Sequence, residues 1–277
     1  MSTRWSLLRW ARRGAAASVL AVLSGATLAD TVRISGVGLS APLMQRLADV
    51  YRTKEPADTV QVIVPPLGSD GSVRALAAGE LDLAVVGRPL KADETAVVGR
   101  AVELGRTPFG FATSDGVRAA GVSAGDVADI YAGRLMRWDD DKPIRLILRA
   151  ERETDTKLVR AISEATNAAM DAAFQRKGLV VADNDLDTAR LLESVPGSFG
   201  PMTTGLAHLQ NSRVRFIAFN GVMPSVKTLA EGKYPLAKPL FIVEPKSPGK
   251  AAARFVAFLK SPQAAEVMAA ADFLPTK

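Results

Sequence analysis

Three short apolar runs, each followed by a glycine-containing turn, constrain this fold more than anything else in the chain. Thr31-Val32-Arg33-Ile34-Ser35 alternates like a strand and enters Gly36-Val37-Gly38-Leu39-Ser40. Pro42 then opens a helix whose Leu43, Leu47 and Val50 share one face. Val60 to Val64 is the second run. It leads through Gly68-Ser69-Asp70-Gly71-Ser72 into a helical stretch that ends at Gly79. Leu81 to Val86 is the third, stopped by Gly87-Arg88-Pro89-Leu90. Strand, helix, strand, helix, strand in this order predicts a parallel sheet with right-handed crossovers.

The turn at Gly68 carries a chemical implication. A glycine-rich turn opening a helix leaves backbone N–H groups without partners, and together with the helix dipole these favour an anion. The plainer reading is an ordinary helix start with Ser69 or Asp70 as N-cap.

Composition narrows the function. The chain has 277 residues, 48% hydrophobic and 23% charged, which suits one large or two medium domains. It has no cysteine and one histidine, His208, so thiolate chemistry and histidine metal clusters are excluded. Arg4, Arg9, Arg12 and Arg13 precede an uncharged run from Gly14 to Leu28 and the small residues of Thr27-Leu28-Ala29. This pattern predicts a signal peptide over residues 1–29 and a periplasmic location, with twin-arginine export as a minor route. Those four arginines account for most of the formal charge of +6, which falls to +2 without them. The high isoelectric point is therefore mainly a property of the leader, and no nucleic-acid partner is expected.

Further along, Val102 to Leu104 and Pro108 to Thr113 look strand-rich and mark a first crossing into a second lobe. Ser123 caps a helix to Tyr131 that Gly133 stops. A polar turn, Trp138 to Pro143, precedes the strand Ile144 to Leu148 and the segment Arg149 to Thr156. A helix of mixed polarity is expected through about Phe174, and Leu191 to Met202 reads as loop. Strands follow at Arg215 to Phe219 and Pro239 to Val243. Amphipathic helices follow over Pro248–Leu259 and Pro262–Ala271.

Catalytic signatures are missing. There is no G-x-S-x-G elbow, Walker loop or dinucleotide fingerprint, and Asp139, Asp140 and Asp141 read as a solvated turn rather than a metal site. His208 reads as structural. Strand-to-helix turns remain: Gly38-Leu39-Ser40, Gly68 to Ser72, Gly87-Arg88-Pro89 and Arg149 to Thr156. Strand C-termini are where open α/β sheets hold ligands, and an arginine fork suits an oxyanion.

These segments resemble the periplasmic phosphate-binding proteins of ABC transporters. The resemblance is carried by Ile34 to Leu43, Gly68 to Ser72 and Leu81 to Leu90. It extends through Asn220-Gly221-Val222-Met223-Pro224-Ser225, Gly232 to Leu236, Lys238-Pro239-Leu240, Phe255 to Leu259 and Ser261-Pro262. It implies an α/β, two-lobed Venus-flytrap fold of type II, each lobe a mostly parallel sheet flanked by helices. Lobe one would hold residues 30–110 and 216–277, and lobe two residues 111–215. A monomer would capture a small oxyanion, phosphate first, between the lobes for an inner-membrane permease. No metal, cofactor or enzymatic activity is implied. Ser40, Ser69, Asp70, Gly71, Arg88, Arg149, Thr154 and Thr156 would line the cleft. The chain departs from the family pattern in four places: Leu39 where a hydroxyl is usual, Gly87 where an acid or Ser is usual, and Glu153 and Asp155 where small residues are usual. These departures motivate an alternative, a flytrap-type sensor or accessory protein that has lost phosphate. An exported hydrolase is the remaining rival.

Overall fold

The computed structural model describes residues 30–276; the signal-peptide reading lies outside them. The three apolar runs form β1 (Thr31–Gly36), β2 (Thr59–Val62) and β3 (Leu83–Val86), and β1 pairs in parallel with both others. Between them run α1 (Ser40–Arg52) and α2 (Gly68–Ala77). Helix α1 forms because Leu43, Met44, Leu47 and Tyr51 make one continuous buried face. Helix α2 starts at Gly68, flanked by Leu67 with no side-chain cap, so neither Ser69 nor Asp70 is spent as an N-cap. After α3 (Ala92–Val97), the two expected strand segments prove to be one long strand, β4 (Ala101–Thr113).

The next elements are α4 (Ala124–Ala132), β5 (Arg145–Arg149), α5 (Thr154–Arg160) and α6 (Glu164–Gln175). Then come β6 (Val180–Ala182), α7 (Asp185–Ser194), β7 (Ser198–Thr203), α8 (Thr204–Leu209) and β8 (Arg215–Ile217). The chain returns through α9 (Val226–Ala230) to β9 (Ala237–Val243), α10 (Lys250–Leu259), α11 (Pro262–Ala269) and β10 (Leu274–Pro275).

Strand order is β2-β1-β3-β9-β4-β7-β5-β6, with β8 and β10 also on β4. The outer pairs are parallel and the middle is antiparallel. Strand β4 belongs to both lobes. Ala101 to Pro108 pair with β9, and Phe109 to Thr113 pair with β7 and β8. A core of Phe109, Phe111, Tyr131, Trp138 and Phe199 fills the second lobe, with Phe111 and Phe199 stacked at 5.0 Å. The largest apolar cluster continues from α1, α10 and α11 of the first lobe into Ala189, Leu192 and Leu206 of α7 and α8. The lobes therefore share packed surface.

Two expectations are corrected. Leu191 to Met202 is not loop: it ends α7 and forms β7, whose six residues are all buried between β4 and β5. A strand covered on both faces shows no alternation, and Gly200 is there because a Cβ would meet the Ile147 carbonyl at 3.0 Å. The single helix expected through Phe174 is two helices, because the Ser163 hydroxyl accepts from the Thr166 N–H and starts α6 anew.

Candidate functional site

The C-terminal ends of β1, β3 and β5 and the N-termini of α1, α2, α5 and α7 converge where the lobes meet. Ser69 Oγ of the first lobe lies 3.2 Å from Thr154 Oγ1 of the second, and accepts from the Gly87 N–H at 3.2 Å. Gly87 leaves room for this meeting: a Cβ there would sit 3.2 Å from Lys238 Cε and 3.3 Å from Thr154 Cγ2.

Arg149, the last residue of β5, is 2% exposed. Its Nη1 donates to Thr188 Oγ1 at 2.8 Å and its Nη2 to Glu153 Oε2 at 3.3 Å, while Nε has no partner. Asp155 and Asp185 approach the same guanidinium at 3.7 and 3.6 Å. Lys238, the second residue of β9, reaches across from the first lobe. Its Nζ donates to Asp185 Oδ1 at 2.6 Å and lies 2.5 Å from Asp155 Oδ1. The other oxygen of Asp185 accepts from the Leu39 N–H at 3.1 Å, at the start of α1. That carboxylate fits because residue 38 is glycine; a Cβ there would fall 2.9 Å from Asp185 Oδ2.

Burial and charge set the protonation of this cluster. Burial first, and then neighbouring Asp185, push the Asp155 carboxyl up to about 6 against the pull of Lys238 and Arg149. Burial works against ionisation of Asp185 as well, but Lys238 and Arg149 outweigh it and hold that carboxyl below the usual range. Burial likewise disfavours the charged forms of Lys238 and Arg149. The surrounding carboxylates more than offset it, so both cations are held above their ordinary values.

The sequence-derived candidates have different fates. Ser69 and Thr154 meet across the lobes, and Arg149 stands in the buried charged cluster with Thr188, Glu153, Asp155 and Asp185. Arg88 and Asp70 pair with each other, at 2.5 Å, and with the neighbouring Glu94 and Lys91 on the first lobe. Ser40 and Thr156 use their hydroxyls locally, donating to the carbonyls of Val37 and Ala150. Gly71 lies with Ser69, Asp70, Arg74, Arg152 and Thr154 around a pocket of about 90 Å³ at the mouth of the junction. A larger apolar cavity of about 370 Å³, lined by Ile130, Pro143 and Leu179, lies on the second lobe away from these groups.

Sequence reasoning missed Asp185 and Lys238. The available signals were a lone lysine in an otherwise uncharged strand, and an acid directly after Asn184, whose side chain accepts from the Leu186 and Asp187 N–H groups.

Comparison with known proteins agrees with this architecture. The phosphate-binding protein PstS of Bacillus subtilis (strain 168) is 23% identical over 219 residues, 74% of this chain and 67% of that one. A Clostridium perfringens structure described as a phosphate ABC transporter substrate-binding protein with bound phosphate superposes with a TM-score of 0.78. The two are 18% identical over 90% of this chain and 100% of that one. An ABC-type phosphate transport receptor from Vibrio cholerae superposes at 0.64, with 19% identity over 88% of this chain and 99% of that one. A family model described as a PBP superfamily domain matches residues 21–263, and the chain belongs to that family.

Proposed function

We propose that this protein is an exported, monomeric solute-binding protein that captures a small oxyanion, phosphate first, between its lobes for an ABC-type permease. One observation carries the reading. Arg149 is buried at the end of β5, its Nη1 donates to the Thr188 hydroxyl and its Nε is unpartnered, and the Ser69 and Thr154 hydroxyls bring the two lobes together at 3.2 Å. A guanidinium fork with flanking hydroxyls, out of contact with water, gives an oxyanion strong charge-assisted hydrogen bonds. The relatives described as phosphate-binding support the choice of phosphate. Among the described residues no group of three or more carboxylates and histidine is placed to hold a metal ion.

Isothermal titration with phosphate, sulfate, molybdate and a carboxylate panel tests the reading. Heat with phosphate that disappears in Arg149→Ala is the expected result; no heat with any oxyanion overturns it. A second reading, a sensor or accessory protein that does not take phosphate, is favoured by one feature. The charges of Arg149 and Lys238 are already matched by Glu153, Asp155 and Asp185.

A further inference from the structure

We infer that Asp185 is a resident anion: a carboxylate of the second lobe seated on anion-binding donors of the first, which latches the lobes together and which a captured anion must displace. Asp185 is 4% exposed and its two oxygens are divided between elements. Oδ2 takes the Leu39 N–H at the start of α1, and Oδ1 takes the Lys238 ammonium, both from the first lobe. Arg149 of its own lobe stands 3.6 Å from Oδ1. A helix N-terminal N–H, an ammonium and a guanidinium are the donors a bound oxyanion needs, and here one carboxylate engages all three.

Gly38 completes the seat. A side chain at that position would come within 2.8 Å of Asp185 Cβ and 2.9 Å of Oδ2, so the close approach of α7 to α1 depends on its absence. Asp155 of the second lobe also contacts Lys238, so the first lobe's ammonium is held by two acids of the second. Two cations face three carboxylates once Glu153 is included, so the cluster has no surplus positive charge. An additional dianion is repelled there unless a carboxylate leaves. Asp185 thereby sets both the affinity for an anion and the resting state of the lobes. The displacement step rests on the oxyanion-capture reading; the latch itself does not.

The test combines small-angle scattering and calorimetry on the full exported chain, using inorganic phosphate as the probe. The wild type is expected to have its closed radius of gyration without phosphate. Asp185→Asn and Gly38→Ala are expected to enlarge it, the second without altering any charge. Phosphate should restore the closed radius in Asp185→Asn and bind it about tenfold more tightly than the wild type, equivalent to about 1.4 kcal/mol. A wild type that is open without phosphate overturns the latch. So does Asp185→Asn with unchanged shape and unchanged phosphate affinity, a result that leaves the capture reading standing. Opening of both variants with no phosphate heat from any of the proteins has the opposite meaning: the latch holds and the capture reading fails.

Discussion

Lys238 is the residue on which the cluster depends most. It is 1% exposed, and its ammonium is the counter-charge that two acids of the other lobe share. Removing one partner of a buried ion pair leaves an uncompensated charge, so Lys238→Met should cost about 3–5 kcal/mol of unfolding free energy in urea titrations. Adding Asp185→Asn to that variant should return part of the loss, and strict additivity of the two changes would show that they do not act through each other. The acids also predict a pH response. Asp155 has its carboxyl raised by burial and by Asp185, while Lys238 and Arg149 oppose the rise, and Tyr131 lies close enough to feel its charge. A folded-state value of about 6, above the unfolded value near 4, means that the folded form takes up a proton first. Stability should therefore increase as pH falls from about 6 toward about 4. Below that it should decline as Asp185 and Asp58, both held below their ordinary range, are forced to protonate. Denaturation midpoints measured across this span should show the rise in the wild type and lose it in Asp155→Asn.

At the scale of elements, α7 matters beyond its length because it presents Asp185 at its first turn. The Asn184 side chain accepts from two N–H groups of that turn, at 2.9 and 3.0 Å. Asn184→Ala should cost about 1 kcal/mol in stability. Amide exchange at Leu186 and Asp187 should accelerate more than elsewhere in the helix; uniform acceleration along α7 would count against the cap. This helix also shows where sequence reading succeeded and failed. The first three strands were legible because each apolar run is followed by a glycine-containing turn and β1 alternates. Helix α1 was legible from Leu43 and Leu47 on one face. Strand β7 was not, since burial on both faces removes the alternation and Gly200-Pro201 imitates a turn. In the site, Ser69 and Arg149 could be read because one lies in the first turn of α2 and the other ends β5, each within a recognisable local pattern. Asp185 and Lys238 could not, because their partnership spans 53 residues and depends on how β9 and α7 meet in three dimensions. Arg88 was legible as a cation near a strand end, but nothing local revealed that Glu94 would hold it with two hydrogen bonds.

In the whole molecule, the two lobes are joined through β4. Lobe motion in such folds is carried by a few hinge residues while each lobe keeps its packing. Trp138 is 6% exposed within the second-lobe core, where its indole N–H donates to the Gly197 carbonyl at 3.1 Å. If opening is a rigid-body movement, its fluorescence maximum should remain that of a buried indole in Asp185→Asn even as the radius of gyration grows. A red shift accompanying the expansion would mean that the second lobe loosens internally.

The path of the chain through β4 also has a mechanical consequence. Strand β10 pairs with Arg106 and Gly105 of β4, and β1 lies in the same half of the sheet. Both outer ends of the described chain are thus anchored in one lobe, and the other lobe is an excursion that leaves and re-enters through the middle. A load applied between Thr31 and Leu274 acts first on the lobe that holds both anchors and reaches the inserted one only after that lobe has yielded. Optical-trap extension should accordingly show two ruptures in fixed order, with the core around Phe111 and Phe199 surviving the first.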